Sequence, residues 1–223
     1  MNILVVGTES ELNECRQKFG NAHQITLAAH HRAVPTLLAS ADVVFDFLLA
    51  YAPEEVALYQ HSKAIVFVDA TTISLLQLGT TLQQQIHFTW FGFCGLPTFV
   101  NREGWEVTLY QQRDKDVLAR ISAALSVYYR IVDDRVGLVM PRIICMIINE
   151  AYFTVQEGTA TRQDIDLAMK LGTNYPYGPF EWAQLIGVSN VYEVLNAVYN
   201  DTHDERYRIC PLLKKEYLAA VTS

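Results

Sequence analysis

The chain has 223 residues, of which 51% are hydrophobic and 18% charged, enough apolar material for a substantial core and too much for a disordered segment. A net charge of −7 offers no basic field to a phosphate backbone, so no nucleic-acid partner is expected. The longest purely apolar run, Ile143 to Ile148, falls far short of a membrane span, and no basic segment precedes the first apolar residues, so no membrane association and a cytoplasmic location are expected.

The chain opens with "MNILVVGTESEL". Residues 2–7 are apolar and branched, the mark of a strand covered on both faces, and residues 10–19 carry a helical pattern that ends at Gly20. A second strand is expected over 24–29, a short helix over 33–39 after Pro35, and a third strand in "DVVFDFLL" (42–49). Pro53 and two acidic residues predict a helix over 54–61. "AIVFVDA" (64–70) and "IHFTWFGF" (86–93) read as further strands, and "WEVTLY" (105–110) as another. Strands alternating with helices of about ten residues predict a parallel sheet with crossover helices.

After residue 110 helices take over. One is expected over 114–129, and the polar triplet Asp133-Asp134-Arg135 marks a domain boundary. Residues 136–156 read as one long helix that is apolar nearly all round, so a second domain or a second subunit must cover it. In "TRQDIDLAMKLG", Thr161 is placed as N-cap, Asp164 at the third helical position and Gly172 beyond the end. Cysteines 15, 94, 145 and 210 have no CxxC spacing and are expected as free, buried thiols of a reducing compartment.

The stretch "EGTATRQDIDLAMKLGTNYPYGPFEWAQLIGV" (157–188), with the apolar helix before it and "ICPLLKKEYLA" (209–219) after it, resembles the C-terminal helical domain of the 3-hydroxyacyl-CoA dehydrogenases. The resemblance implies an α/β architecture: a shortened Rossmann-like parallel-sheet domain over 1–134, then an all-α domain over 135–223 that pairs with a second copy as a homodimer. It further implies NAD as cofactor, an acyl-CoA-type small molecule as substrate, and oxidation of a 3-hydroxyacyl-CoA to the 3-oxo compound in fatty acid metabolism. "IHFTWFG" resembles the strand that carries the family's catalytic histidine and "WEVTLY" the strand of the glutamate that orients it. His87 and Glu106 are therefore the expected catalytic pair, Thr72 a substrate contact, and Gly7 and Asp46 cofactor contacts.

The residues themselves pull against part of this. A histidine held by a carboxylate is a competent acid–base pair, but His87 and Glu106 are separated by a long loop, and a half-buried strand histidine and a solvent-facing strand glutamate are an equally good account of the two. A dinucleotide loop needs glycines after the first, and this chain supplies Thr8, Glu9, Ser10 and Glu11, whose side chains and charge oppose a pyrophosphate. A dehydrogenase and a non-catalytic dimeric binding or scaffold protein both remain open. His30, His31 and His203 lack metal-ligand spacing and read as surface residues, so no metal is expected. Trp90, Phe91, Phe93 and Trp105 fit either an apolar acyl pocket or plain core.

Overall fold

A computed structural model describes residues 1–82 and 86–221. The chain divides into two compact units, Met1–Leu138 and Val139–Ser223.

The first unit is built on a seven-stranded sheet. Its elements in chain order are β1 (Asn2–Val6), α1 (Glu9–Phe19), β2 (Gln24–Ala28), α2 (Val34–Leu38), β3 (Val43–Asp46), a 3-10 segment (Pro53–Tyr59), β4 (Ile65–Asp69), α3 (Leu75–Thr80), β5 (Trp90–Phe93), β6 (Gly104–Leu109), α4 (Lys115–Ala124) and β7 (Tyr128–Ile131). The strand order is β2-β1-β3-β4-β5-β6-β7. β1 to β5 are mutually parallel, β6 runs antiparallel to β5, and β7 runs parallel to β6. The core lies on both faces of the sheet. Phe45 stacks on Phe19 and Phe67 on one face, with Phe93 and Trp105 edge-on beside it. Val44, Val66, Val68 and Trp90 pack on the other. Strands buried on both faces explain the unbroken apolar runs of the sequence. The aromatics proposed for an acyl pocket, Trp90, Phe91, Phe93 and Trp105, are all buried here as core.

Three expectations need correction. The helix expected over 114–129 stops at Ala124, because Ser126 adopts a left-handed backbone (φ 56°) and Tyr128–Ile131 then extends as edge strand β7. The sheet is not parallel throughout: the 94–103 connection contains no helix, and a link of that kind returns the chain antiparallel. The acidic segment after Pro53 winds as a 3-10 helix rather than an α-helix.

The second unit holds α5 (Met140–Gln156), α6 (Arg162–Thr173), α7 (Pro179–Ile186), α8 (Val188–Thr202) and α9 (Pro211–Val221). α5 is its organiser, burying Ile144, Cys145, Ile148 and Tyr152. Pro141 sits in its first turn, where a missing N–H costs nothing, and sets its start later than the apolar run suggests. Two polar side chains of α5 then fix the approach to α9. Asn149 donates to the carbonyl of Arg208 (3.0 Å) and accepts from the N–H of Cys210 (2.9 Å), while Gln156 accepts from the N–H of Leu212 (2.9 Å). Thr161 caps α6 as its spacing to Asp164 predicts, but the helix runs through Gly172 and ends at left-handed Asn174.

Candidate functional site

In an open parallel sheet, ligands bind beyond the carboxyl ends of the strands, where the chain's direction of winding reverses. Here that point lies between β1 and β3, since the chain winds from β1 out to β2 and returns to β1's other side for β3. Gly7 and Thr8 follow β1, and Asp46 ends β3. The expected cofactor contacts therefore do meet at the right edge.

That edge is closed by the chain's own side chains. Thr8 is the N-cap of α1, and Glu11 folds back so that its Oε2 accepts from the Thr8 N–H at 2.7 Å and from the Thr8 hydroxyl, completing a capping box. A Cβ built on Gly7 would meet the Glu11 carboxylate at 3.3 Å and the Phe47 ring at 3.4 Å, so the approach that a phosphate needs is filled by an anion and an aromatic. The Thr8 N–H, an amide of the kind that binds a pyrophosphate at a helix start, is satisfied internally by the Glu11 carboxylate, and the Ser10 N–H by the Thr8 hydroxyl.

Asp46 is also unavailable to a ligand. It is fully buried, and its two oxygens accept from the N–H groups of Leu48 and Leu49 and from the hydroxyl of Tyr59, with Nε2 of His31 at 2.9 Å. His31 is correspondingly buried, not on the surface as its position beside His30 suggests. The signal for this was Asp46 itself, a single carboxylate inside "VVFDFLL", because a buried charge demands partners.

The other carboxylates at this edge serve the same end. Asp69, at the end of β4, accepts from the N–H groups of Thr71 and Gly95 at 3.0 and 2.9 Å. Asp134 accepts from the N–H groups of Leu75 and Leu76, both at 2.9 Å, and so adds to the Ser74 cap of α3. Thr72 lies half-buried in the turn between these two groups.

His87 and Glu106 are not brought together. His87 is exposed and precedes β5, at the amino end of the parallel strands. The β5–β6 register pairs Phe91 with Leu109 and Phe93 with Val107, and continuing it by one residue sets Cys94 level with Glu106. His87 lies seven residues back along the chain, about 23 Å for an extended strand. The position facing Glu106 is thus a thiol. Cys94 is buried, and desolvation, helped by the charge of Asp69, pushes it well above the ordinary thiol range. Such a sulfur is neither a base nor a nucleophile near neutral pH. Arg102, in the loop between the two strands, lies over the Phe99 ring at 3.7 Å; burial lowers its pKa against the opposing effects of Cys94 and Glu106.

Residues 137–221 match the family model of the 3-hydroxyacyl-CoA dehydrogenase C-terminal domain. The helical unit is thus similar to the C-terminal domain of the 3-hydroxyacyl-CoA dehydrogenases. Escherichia coli 3-hydroxyadipyl-CoA dehydrogenase is 44% identical over 85 residues, covering 38% of this chain and 18% of the relative. The 3-hydroxybutyryl-CoA dehydrogenase of Bradyrhizobium diazoefficiens is 29% identical over 159 residues, covering 69% of this chain and 53% of that protein. The chain spans about half the length of these relatives, or less. Among solved structures, M. tuberculosis FadB2 superposes with a TM-score of 0.78 at 15% identity, covering 98% of this chain and 93% of that one, a likeness of fold. The fold is the Rossmann-like α/β sheet with a helical unit that the family resemblance implies. Among the described residues no helix is long and apolar enough to cross a membrane, and no three His, Cys, Asp or Glu side chains are grouped to hold a metal.

Proposed function

We propose that this chain is a non-catalytic member of the dehydrogenase family: a dimeric cytoplasmic protein that takes an acyl-CoA-type ligand and transfers no hydride to NAD. The observation that carries this reading is Glu11 folded onto Thr8 beside Gly7, which fills the phosphate approach with a carboxylate. The β5–β6 register agrees with it, since continued by one residue it sets Cys94 rather than His87 level with Glu106. The acyl-CoA class comes from the names of the relatives and the match of the helical unit.

Calorimetric titration with NADH and, separately, with acetoacetyl-CoA tests the reading. Heat of binding is expected from the acyl-CoA alone, together with no NADH formation from 3-hydroxybutyryl-CoA and NAD. A low-micromolar dissociation constant for NADH would overturn the proposal. If NADH does form, comparison with His87→Ala shows whether the histidine expected from sequence is the base; its position predicts an unchanged rate.

The dimer reading rests on α6, which buries none of its residues within one chain and leaves Leu167 54% and Leu171 78% exposed. A helix with so much apolar surface is covered economically by a second copy. Light scattering is expected to give a dimer that Leu171→Glu converts to a monomer, and a wild-type monomer at micromolar concentration would count against this part of the proposal.

A further inference from the structure

One buried carboxylate gathers donors from three separate segments of the first unit. Asp46 Oδ1 accepts from the N–H groups of Leu48 (2.8 Å) and Leu49 (3.1 Å), and Oδ2 accepts from the Tyr59 hydroxyl (2.6 Å) and lies 2.9 Å from His31 Nε2. Asp46 and Tyr59 are fully buried and His31 is 7% exposed. An ionised carboxylate has about four acceptor sites, and all are in use. Because Asp46 has no hydrogen to give, His31 Nε2 is the donor whether the ring is neutral or charged. The proton that comes and goes is therefore the one on Nδ1, which makes no hydrogen bond among the described residues.

We infer that His31, Asp46 and Tyr59 form a buried proton-binding latch that holds the segments 28–34, 46–49 and 53–59 together more tightly when His31 is charged. In the charged state an imidazolium meets a carboxylate away from water, where their attraction is weakly screened. In the neutral state the buried anion keeps hydrogen bonds alone. The groups acting on the ring are Asp46 at the end of β3 and Glu55 and Glu54 on the 3-10 segment, with Tyr59 reaching it through Asp46. The neighbouring β1, β2 and α2 carry no titratable side chain.

Burial of the ring opposes its charge, but the hydrogen bond and charge of Asp46, reinforced by Glu55 and Glu54, outweigh that penalty and raise His31 above the usual histidine value. A histidine whose folded value is raised stabilises fully below its unfolded value of about 6.5, and the contribution fades as pH rises through the folded value. The latch is thus tight in mild acid and loosens toward alkaline pH.

The side-chain resonances of the six histidines, followed by NMR in the full chain from about pH 5 to about pH 9, test this directly. His31 is assigned with His31→Gln, whose amide still donates to Asp46. The expected result is a His31 midpoint above about 6.5, with opening of the Leu48 and Leu49 amides, corrected for intrinsic exchange, increasing through that midpoint in wild type and not in His31→Gln. A midpoint at or below that value, or the same change in opening in both proteins, overturns the latch. Should His31→Gln fail to fold, Tyr59→Phe decides: removing one donor from Asp46 leaves its charge less dispersed and must move the His31 midpoint upward, so an unmoved midpoint overturns the inference.

Discussion

A Cβ placed on Gly178 would overlap Oδ1 of Asp166, the atom that accepts the N–H of Phe180 at 2.8 Å. The carboxylate of α6 is pressed against bare backbone at the start of α7, where Glu181 also accepts from the Gly178 N–H at 2.9 Å. Gly178→Ala cannot be relieved by a flexible tip, because the clashing atom is already committed to a bond. The expected cost is about 1–3 kcal/mol, the usual range for overpacking. Chemical denaturation of the variant measures it, and an unchanged midpoint would show that α7 shifts freely against α6.

The capping box at α1 supports a second expectation. Glu11 satisfies the N–H of Thr8, and its charge sits at the positive end of the helix dipole. Glu11→Ala removes both effects and should cost about 0.5–2 kcal/mol, a typical value for lost capping. Thermal unfolding at neutral pH provides the check. A neutral result would mean that Glu9, also in the first turn, supplies the dipole interaction by itself.

The four cysteines give a third. All are buried and free, and burial pushes Cys145 up to about 12 and Cys94 well above the ordinary thiol range. A thiol reagent at about pH 8 should therefore find no reactive sulfur in the native protein and all four in denaturant. Rapid labelling of one native thiol would expose a local opening, and mass mapping would name the segment.

The sheet was largely legible because β1, β3 and β4 are branched apolar runs buried on both faces, a pattern with few other uses. β7 was not, since Leu118, Ile121 and Leu125 set a helical rhythm that Tyr128 continues on paper; the left-handed turn at Ser126 that breaks it leaves no mark on a serine. The helical unit was readable through Thr161, whose capping of α6 depends on nearby residues alone. The site resisted for the opposite reason. Whether Glu106 faces His87 or Cys94 depends on register across an antiparallel pair whose connection gives no hint of its length in space. His31 was misplaced because its partner, Asp46, lies fifteen residues away at the end of β3.

The carboxylates at the carboxyl edge carry a thermodynamic consequence. A nucleotide-binding protein leaves helix-end amides for its ligand to satisfy, so its melting temperature follows ligand concentration through mass action. Here Glu11 and Asp134, tethered by the chain itself, supply that satisfaction through hydrogen bonds at an effective concentration that dilution cannot lower. The first unit is in this sense permanently liganded. On the reading proposed above, its melting temperature does not follow the concentration of NAD(H) around it.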